Sequence, residues 1–197
     1  MFYLAESTQL LLPQLFLAAK RYWKWPKNLE IMNVLQLNLK NHLMSLRNLI
    51  LYTLIVALFI IYFRDDLGKS IWILIGFWTI LYLAPTIVIH ANHFIQSKDK
   101  SFIITDNQIK VKSGSSTKII DFSSIVKIEL HMTANEIQQS GLRHFPFEGY
   151  HFVRFFLSEE ESFTISSLYS TNLNYIVKNS IKDVKIEIIK IFYPIIK

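Results

Sequence analysis

The chain has 197 residues, of which 51% are hydrophobic, with a formal net charge of +6 and no cysteine. That length accommodates a pair of membrane helices and one small domain. The lack of cysteine excludes a disulfide framework, a thiol nucleophile and a thiolate metal site. The basic charge does not predict nucleic-acid binding, because it is concentrated before residue 48 and the C-terminal half is close to neutral.

The first 40 residues form a segment of their own. An apolar stretch from Phe2 to Ala19 is followed by basic residues alternating with aromatic ones, in Lys20–Lys27. This order excludes a signal peptide, in which the positive charges come first. Three interpretations remain: an interfacial helix with a basic and aromatic edge, a third membrane span, and a translation start at Met32.

Two uncharged apolar runs, Asn48–Phe63 and Ser70–Ile89, dominate the next 50 residues. A helix needs about 20 apolar residues to cross a hydrocarbon core roughly 30 Å thick. We therefore predict a transmembrane hairpin over residues 41–90, with spans at about 43–63 and 70–89. The connection between the runs is so short that the two helices must be antiparallel neighbours.

The distribution of basic residues predicts how the hairpin is oriented. The basic residues that precede the first span are Lys20, Arg21, Lys24, Lys27, Lys40 and Arg47. Lys98 and Lys100 follow the second span, and only Arg64 and Lys69 lie in the connection. Because positive residues stay in the cytoplasm, we expect both termini inside the cell and the 64–69 turn outside.

Two features within the hairpin carry structural predictions. Ala57 and Gly76 are equally far from the middle of the connection, so they should lie at the same bilayer depth. Small residues let helix backbones approach closely, and we predict a helix–helix contact between these two. The alternative is that both face lipid. Pro85 should kink the second helix or mark its inner end.

Beyond the hairpin, residues 91–197 alternate between apolar and polar side chains, as short strands do. The predicted strands are 101–105, 108–112, 118–122, 124–131, 150–157 and 162–166. One helical turn is expected at 134–139 and a helix at 172–179, whereas the tail 184–196 fits either a strand or a helix. The fold class is therefore α+β: a transmembrane hairpin, then a cytoplasmic antiparallel β barrel or sandwich with a late helix.

The order of these elements carries a resemblance. Two membrane helices followed by SFIITDNQIKVKSGSSTKIIDFSSIVKIEL, residues 101–130, resemble the bacterial membrane proteins with a pleckstrin-homology-like (PH-like) domain. Asp121–Val126 is similar to the short element of that family in which a polar pair separates two strands. The resemblance implies a PH-like domain on the cytoplasmic side of a bacterial inner membrane. It carries over no functional residue, because the family has no site motif that matches here.

Three lysines are the candidate lipid-headgroup site. Lys110 and Lys112 share one face of a predicted strand, and Lys118 returns across the Ser-Gly-Ser-Ser turn, so we expect the three to come together. The arrangement is loosely similar to eukaryotic pleckstrin-homology domains, which hold phosphorylated headgroups near their first hairpin. The alternative is a solvated strand face on which lysines discourage edge pairing.

The remaining polar residues predict no chemistry. His90 and His93 lie one helical turn apart, but a metal site would need a third ligand, so we expect interfacial side chains and no metal. No serine–histidine–aspartate or paired-carboxylate arrangement is evident, which predicts no enzyme and no cofactor. The aromatic stretch 144–152 is either a hydrophobic plug that closes one end of a barrel or an exposed partner patch, and we expect the plug.

The function that these observations favour is a non-catalytic binding or scaffold module, held at the inner membrane surface by its hairpin. Its expected partners are the bilayer and either anionic lipid headgroups or a membrane protein, with no role for nucleic acid. The alternative is an accessory subunit or regulator of a membrane enzyme or transport complex, docked through the hairpin.

Overall fold

The structure is a computed structural model that describes residues 33–138, 143–182 and 184–197. The three interpretations of the N-terminal segment therefore lie outside the described residues. Residues 31–197 form one compact unit, to which all described residues belong.

The hairpin consists of two long helical rods joined by one short helix. Its elements are α1 (Leu39–Tyr62), α2 (Arg64–Leu67), α3 (Ser70–Trp78), a π-helical turn (Thr79–Leu83) and α4 (Ala84–Ser97). The first rod begins at Asn38, whose side chain accepts a hydrogen bond of 2.8 Å from the backbone N–H of Asn41. This cap satisfies one of the N–H groups that a helix start leaves without an intrahelical partner.

Pro85 does not end the second rod, which continues for twelve residues to Ser97. A proline has no N–H to donate, and its ring crowds the carbonyl four residues earlier. The π-helical turn Thr79–Leu83 lies immediately before it and takes up this distortion. The expectation that Pro85 marks the inner end of the helix is therefore wrong.

Both rods are long and apolar enough to cross a membrane, by length and composition. They measure 24 residues (Leu39–Tyr62) and 28 residues (Ser70–Ser97). Only 6% of the most apolar part of each rod is buried, so these parts are not packed inside the described protein. The second rod extends eight residues beyond its predicted inner end at residue 89.

The β domain contains two four-stranded sheets. The first holds β1 (Asn33–Leu35), β2 (Lys100–Ile104), β3 (Gln108–Ser113) and β4 (Ser116–Asp121), in that order. The second holds β5 (Lys127–Met132), β6 (Phe152–Phe156), β7 (Ser162–Ser166) and β8 (Ile186–Lys190), in the order β7-β6-β5-β8. The sheets are separate among the described residues, which favours the sandwich alternative over a closed barrel.

One strand of the first sheet comes from before the hairpin. Leu35 of β1 pairs with Phe102 of β2, so the hairpin is inserted between two neighbouring strands. The division of the chain at residues 40 and 90 stays a prediction. The structure adds that residues on both sides of the hairpin build one sheet.

The last strand differs from the prediction that the β domain is antiparallel throughout. The strand β8 pairs in parallel with β5, with Ile128 opposite Ile186. The reason is the crossover through α6 (Leu173–Ser180), which returns the chain to the end of the sheet where β7 began. The prediction of a wholly antiparallel domain is therefore wrong at this strand, whereas the late helix is confirmed.

The inward-facing residues of both sheets form the main core. Phe102, Ile104, Ile109, Ile128, Leu130, Val153, Phe155 and Ile165 are at most 1% exposed. Leu173 and Val177 of α6 join this core from one side. A second cluster of Ile89, Phe147, Tyr150 and Leu168 lies where the hairpin meets the β domain. The short helix α5 (Ala134–Ile137) confirms the predicted helical turn.

Candidate functional site

The register between β3 and β4 separates the three candidate lysines. The two-residue turn at Gly114 and Ser115 places Ser113 opposite Ser116, and Gly114 takes a φ of 56° that favours glycine. An even-numbered residue of β3 therefore always faces an odd-numbered residue of β4. Side chains that face each other directly lie on the same side of the sheet.

Lys110 and Lys112 accordingly share the outer face of the first sheet, whereas Lys118 does not. Lys110 faces Ile119, and Lys118 faces Val111 on the other side. The ammonium group of Lys118 forms an ion pair with Glu161, and both side chains are more than half exposed. The expected group of three lysines is thus a pair, with the third bound to a carboxylate.

The outer face that carries this lysine pair is partly apolar. Val34, Ile103, Lys110 and Ile119 lie in one row across the four strands. Val34 is 49% exposed and Ile119 is 58% exposed. The face therefore combines positive charge with apolar side chains that no other described element covers.

Ala57 and Gly76 have open surroundings in the described part of the chain. Ala57 is exposed, and a Cβ atom added at Gly76 would meet no described heavy atom within 4 Å. The helix–helix contact between them stays a prediction. The recorded ring contacts between the two rods lie closer to the β domain. The rings of Tyr52 and Tyr82 are 6.0 Å apart, and those of His42 and His90 are 5.1 Å apart.

The inner part of α4 is built into the β domain. Thr86, Ile89, His93 and Ser97 are all at most 2% exposed. Their spacing of three and four residues places them on one side of the helix. This buried stripe means that the second apolar rod and the β domain are continuous, with no flexible linker between them.

His93 is the polar centre of that stripe and is fully buried. Its Nε2 lies 2.6 Å from the carbonyl oxygen of Pro194, and its Nδ1 lies 2.7 Å from Oγ of Ser166. Because a carbonyl only accepts, Nε2 carries the proton, and a neutral Nδ1 accepts from the serine hydroxyl. His93 thus joins α4 to β7 and to the C-terminal tail, which corrects its interpretation as an interfacial side chain.

The C-terminal tail is also held by the neighbouring Asn92. The Asn92 amide donates to the carbonyl of Ile196 over 3.1 Å and accepts from the N–H of Ile196 over 2.8 Å. At the end of α4, the hydroxyl of Tyr169 lies 2.6 Å from the carbonyl oxygen of Ser97. Burial raises the pKa of Tyr169 to about 12, so this phenol remains a donor.

A chain of hydrogen bonds joins both rods to the β domain. His90 Nε2 lies 3.1 Å from Nδ1 of His42, and His90 Nδ1 lies 2.7 Å from the hydroxyl of Tyr150. Burial raises the pKa of Tyr150. The hydroxyl therefore stays protonated and donates to Nδ1 of His90. The described residues contain no group of three metal-ligating side chains that could make this a metal site.

The aromatic stretch 144–152 is a plug, as predicted, but it fills the junction with the hairpin and not a barrel end. Phe147 and Tyr150 are 1% exposed and pack on Ile89. The carboxylate of Glu148, itself 8% exposed, accepts from the N–H groups of His144 and Phe145 over 2.7 and 3.1 Å. It also accepts from the side-chain amide of Asn135 over 2.6 Å, which orders the loop.

The same plug contains a histidine that sequence reasoning left unassigned. His151 is 1% exposed, its Nδ1 lies 3.2 Å from the carbonyl oxygen of Gly149, and its Nε2 has no hydrogen-bond partner among the described residues. Burial lowers the pKa of His151 below its usual 6.5. The unfolded chain therefore binds this proton more readily, and the stability that neutral His151 contributes is lost as the pH falls below about 6.5.

The outer face of the second sheet is a balanced charge network. Lys127 forms ion pairs with Glu129 and Glu187 over 2.9 and 2.7 Å, and Lys185 pairs with Glu187 over 2.7 Å. Hydrogen bonds from both lysines lower the pKa of Glu187 to about 2. Because these charges compensate one another, this face is a weaker candidate for binding an anion than the face that carries Lys110 and Lys112.

Two largely antiparallel sheets, a short β-hairpin near the start of the domain and a late helix define a small β module of the pleckstrin-homology type. A family model described as PH domain matches residues 31–174, which include both apolar rods. The chain belongs to the PH domain family. No curated protein and no solved structure matches it.

Proposed function

We propose that this protein is a membrane-anchored, non-catalytic binding or scaffold module that presents its PH domain at the cytoplasmic face of a bacterial inner membrane. Membership of the PH domain family supports a binding or scaffold role. The observation that carries the anchoring is the exposed apolar surface of both rods, including Leu58 at 66%, Trp72 at 73% and Ile80 at 70% exposure. Large apolar surfaces of this kind mark membrane or protein interaction sites.

The junction supports a fixed presentation of the domain rather than a loose tether. The buried stripe on α4 and the hydrogen bonds of His93 orient the β domain relative to the hairpin. A scaffold anchored in this way offers the outer face of its first sheet at a constant distance from the bilayer.

Cysteine labelling tests anchoring and orientation together. The chain has no cysteine, so Asp65→Cys and Ser115→Cys each introduce a single thiol. The side chain of Asp65 is 92% exposed at the tip of the hairpin, and Ser115 lies in the exposed turn between β3 and β4. In intact cells, an impermeant thiol reagent should label the cysteine at 65 and not the one at 115.

The matched control is the same labelling after the cells are broken open, when both thiols should react. Labelling at 115 but not at 65 in intact cells would reverse the orientation. Release of the protein from membranes by alkaline carbonate would contradict the anchoring itself.

For the ligand, we propose anionic lipid headgroups bound at Lys110 and Lys112. A lysine near an anionic surface contributes about 1 kcal/mol, so loss of two in Lys110→Glu with Lys112→Glu should weaken anionic-lipid retention by at least about thirtyfold. Lys118→Gln is the control, because this lysine points to the other face and is paired with Glu161. Mass spectrometry of the lipids that remain after gentle solubilisation gives the measurement.

Equal lipid retention by the double variant and the control would refute headgroup binding. It would favour the alternative of an accessory subunit or regulator docked through the hairpin. One observation supports that alternative: among the described residues Ala57 is exposed and Gly76 has open space beside it, which leaves small-residue surface available to a partner helix. Mass spectrometry of the co-purified proteins identifies such a partner in the same sample.

A further inference from the structure

The β domain contacts the hairpin far from its inner end. On the first rod, the hydroxyl of Tyr52 donates to the backbone carbonyl of Arg143. On the second rod, the ring of Tyr82 lies 5.7 Å from that of Phe145. Both contacts lie near the middle of their rods, which run from Leu39 to Tyr62 and from Ser70 to Ser97.

The free part of the hairpin beyond these contacts is too short to cross a bilayer. Residues 53–62 extend about 15 Å and residues 70–81 about 18 Å, at a rise of about 1.5 Å per residue. A hydrocarbon core is about 30 Å thick. The charged tip, where the Arg64 and Asp65 side chains are 78% and 92% exposed, must nevertheless reach water on the far side. The membrane must therefore extend inward past the level of Tyr52 and Tyr82.

The surface of the rods is consistent with such a position of the membrane. Alongside the β domain, both rods keep exposed apolar side chains, and an exposed charge among them, Arg47, has an aliphatic stem that lets its guanidinium reach the headgroups. Leu43 is 52% exposed, Ile87 is 52% exposed and Val88 is 58% exposed. Lipid on the domain side of the bilayer would cover these residues.

The part of the β domain at this level is aromatic. Phe192 and Tyr193 of the tail are 58% and 51% exposed. The ring of Phe192 lies 5.9 Å from that of Phe145, which in turn touches Tyr82. We define Tyr52, Tyr82, Phe145, Phe192 and Tyr193 as the aromatic collar. Tyrosine and other aromatic rings favour the boundary between headgroups and acyl chains.

The backbone of the loop that carries Phe145 is also suited to a region with little water. The N–H groups of His144 and Phe145 donate to Glu148, and the carbonyl of Arg143 accepts from Tyr52. The guanidinium of Arg143 is paired with Glu136 over 2.9 Å. Irregular backbone is tolerated at membrane depth only where its polar groups have internal partners.

We propose that the aromatic collar lies within the leaflet on the domain side, so that the PH domain is partly embedded in the bilayer through its 143–147 loop and its C-terminal tail. The proposal rests on the membrane anchoring proposed above. In this arrangement, lipid covers the exposed side chains of Phe192 and Tyr193.

Spin labels at single cysteines in the full chain, reconstituted into nanodiscs of phosphatidylcholine and phosphatidylglycerol, test this directly. Tyr193→Cys and Ile195→Cys report on the collar and the adjoining tail, and Leu58→Cys reports on the free hairpin. Glu160→Cys is the aqueous control, because its exposed turn lies at the opposite end of β6 and β7 from the plug. Accessibility to oxygen, relative to a water-soluble nickel chelate, rises with depth in lipid.

We expect this ratio to be several-fold higher at 193 and 195 than at 160, and higher still at 58. A high ratio at 58 with ratios at 193 and 195 equal to that at 160 would overturn the embedded collar and leave the anchoring intact. A ratio at 58 equal to that at 160 would overturn the anchoring and, with it, the collar.

Discussion

The variant His93→Ala should lower the free energy of unfolding by about 3 kcal/mol, through two lost hydrogen bonds and a cavity. The imidazole is fully buried between α4, β7 and the tail. Its removal leaves the carbonyl of Pro194 and the hydroxyl of Ser166 without their partner. For a chain of this size, the loss corresponds to a melting temperature lower by roughly 10 °C. Near-UV circular dichroism of the detergent-solubilised protein during heating gives the measurement.

Ile95→Ala is the matched control, because Ile95 is on the same helix, two residues away, and 63% exposed. Its melting temperature should stay close to that of the unchanged protein. In a double-mutant cycle, Ser166→Ala should cost much less in the His93→Ala background than alone, since the shared hydrogen bond is already lost. Identical melting of the His93→Ala protein and the control would show that the junction does not depend on this residue.

The sequence predicts most strands of the domain correctly, and the reason is local. Strands β2 and β5 have one face in the core and one face outside, so their buried residues alternate, as Ile128 and Leu130 do. The three residues of β1 are too few for an alternation to be recognised. The direction of β8 depends on the crossover through α6, which no local pattern encodes.

The lysine pair and His93 differ in how far a local sequence pattern can predict them. The separation of Lys118 from Lys110 follows from the two-residue turn and the odd–even register, both of which are encoded locally in residues 108–121. His93 lies beyond an apolar run in which Pro85 is a natural place for a helix to end. Its burial depends on a π-helical turn that lets the helix continue, and on the tail residue Pro194, which lies 101 residues further along the chain.

The largest expected effect concerns where the β domain begins. The sequence predicts a domain over residues 91–197, yet a fragment from Phe94 to Lys197 would lack Leu35, Ile89 and His93, which are buried in the intact chain. Losing a buried leucine or isoleucine side chain costs about 2–5 kcal/mol. Two such losses, with the hydrogen bonds of β1 and His93, approach the total stability of a typical domain, about 5–15 kcal/mol. We therefore expect the fragment to be largely unfolded.

The matched comparison is a variant that keeps the domain-contacting parts of both rods. It joins residues 31–52 to residues 82–197 through a flexible glycine–serine linker between two positions, Tyr52 and Tyr82, whose rings lie 6.0 Å apart. This variant retains β1, the buried stripe of α4 and the tail contacts. Because Leu43 and Ile87 remain exposed, it should need mild detergent but melt cooperatively, as followed by far-UV circular dichroism.

Cooperative melting of both proteins at the same temperature would show that β1 and α4 add nothing to the fold. If the 94–197 fragment is unfolded while the linked variant folds, the inner parts of the two rods belong to the fold of the β domain and do not merely precede it. Under the anchoring proposed above, lipid contact and domain stability would then be coupled, because α4 would give one side to the bilayer while Ile89 and His93 on its other side are buried against the β domain. A force or a partner that displaced α4 would loosen the plug around Phe147, so the anchor would also act on the structure of the domain that it presents.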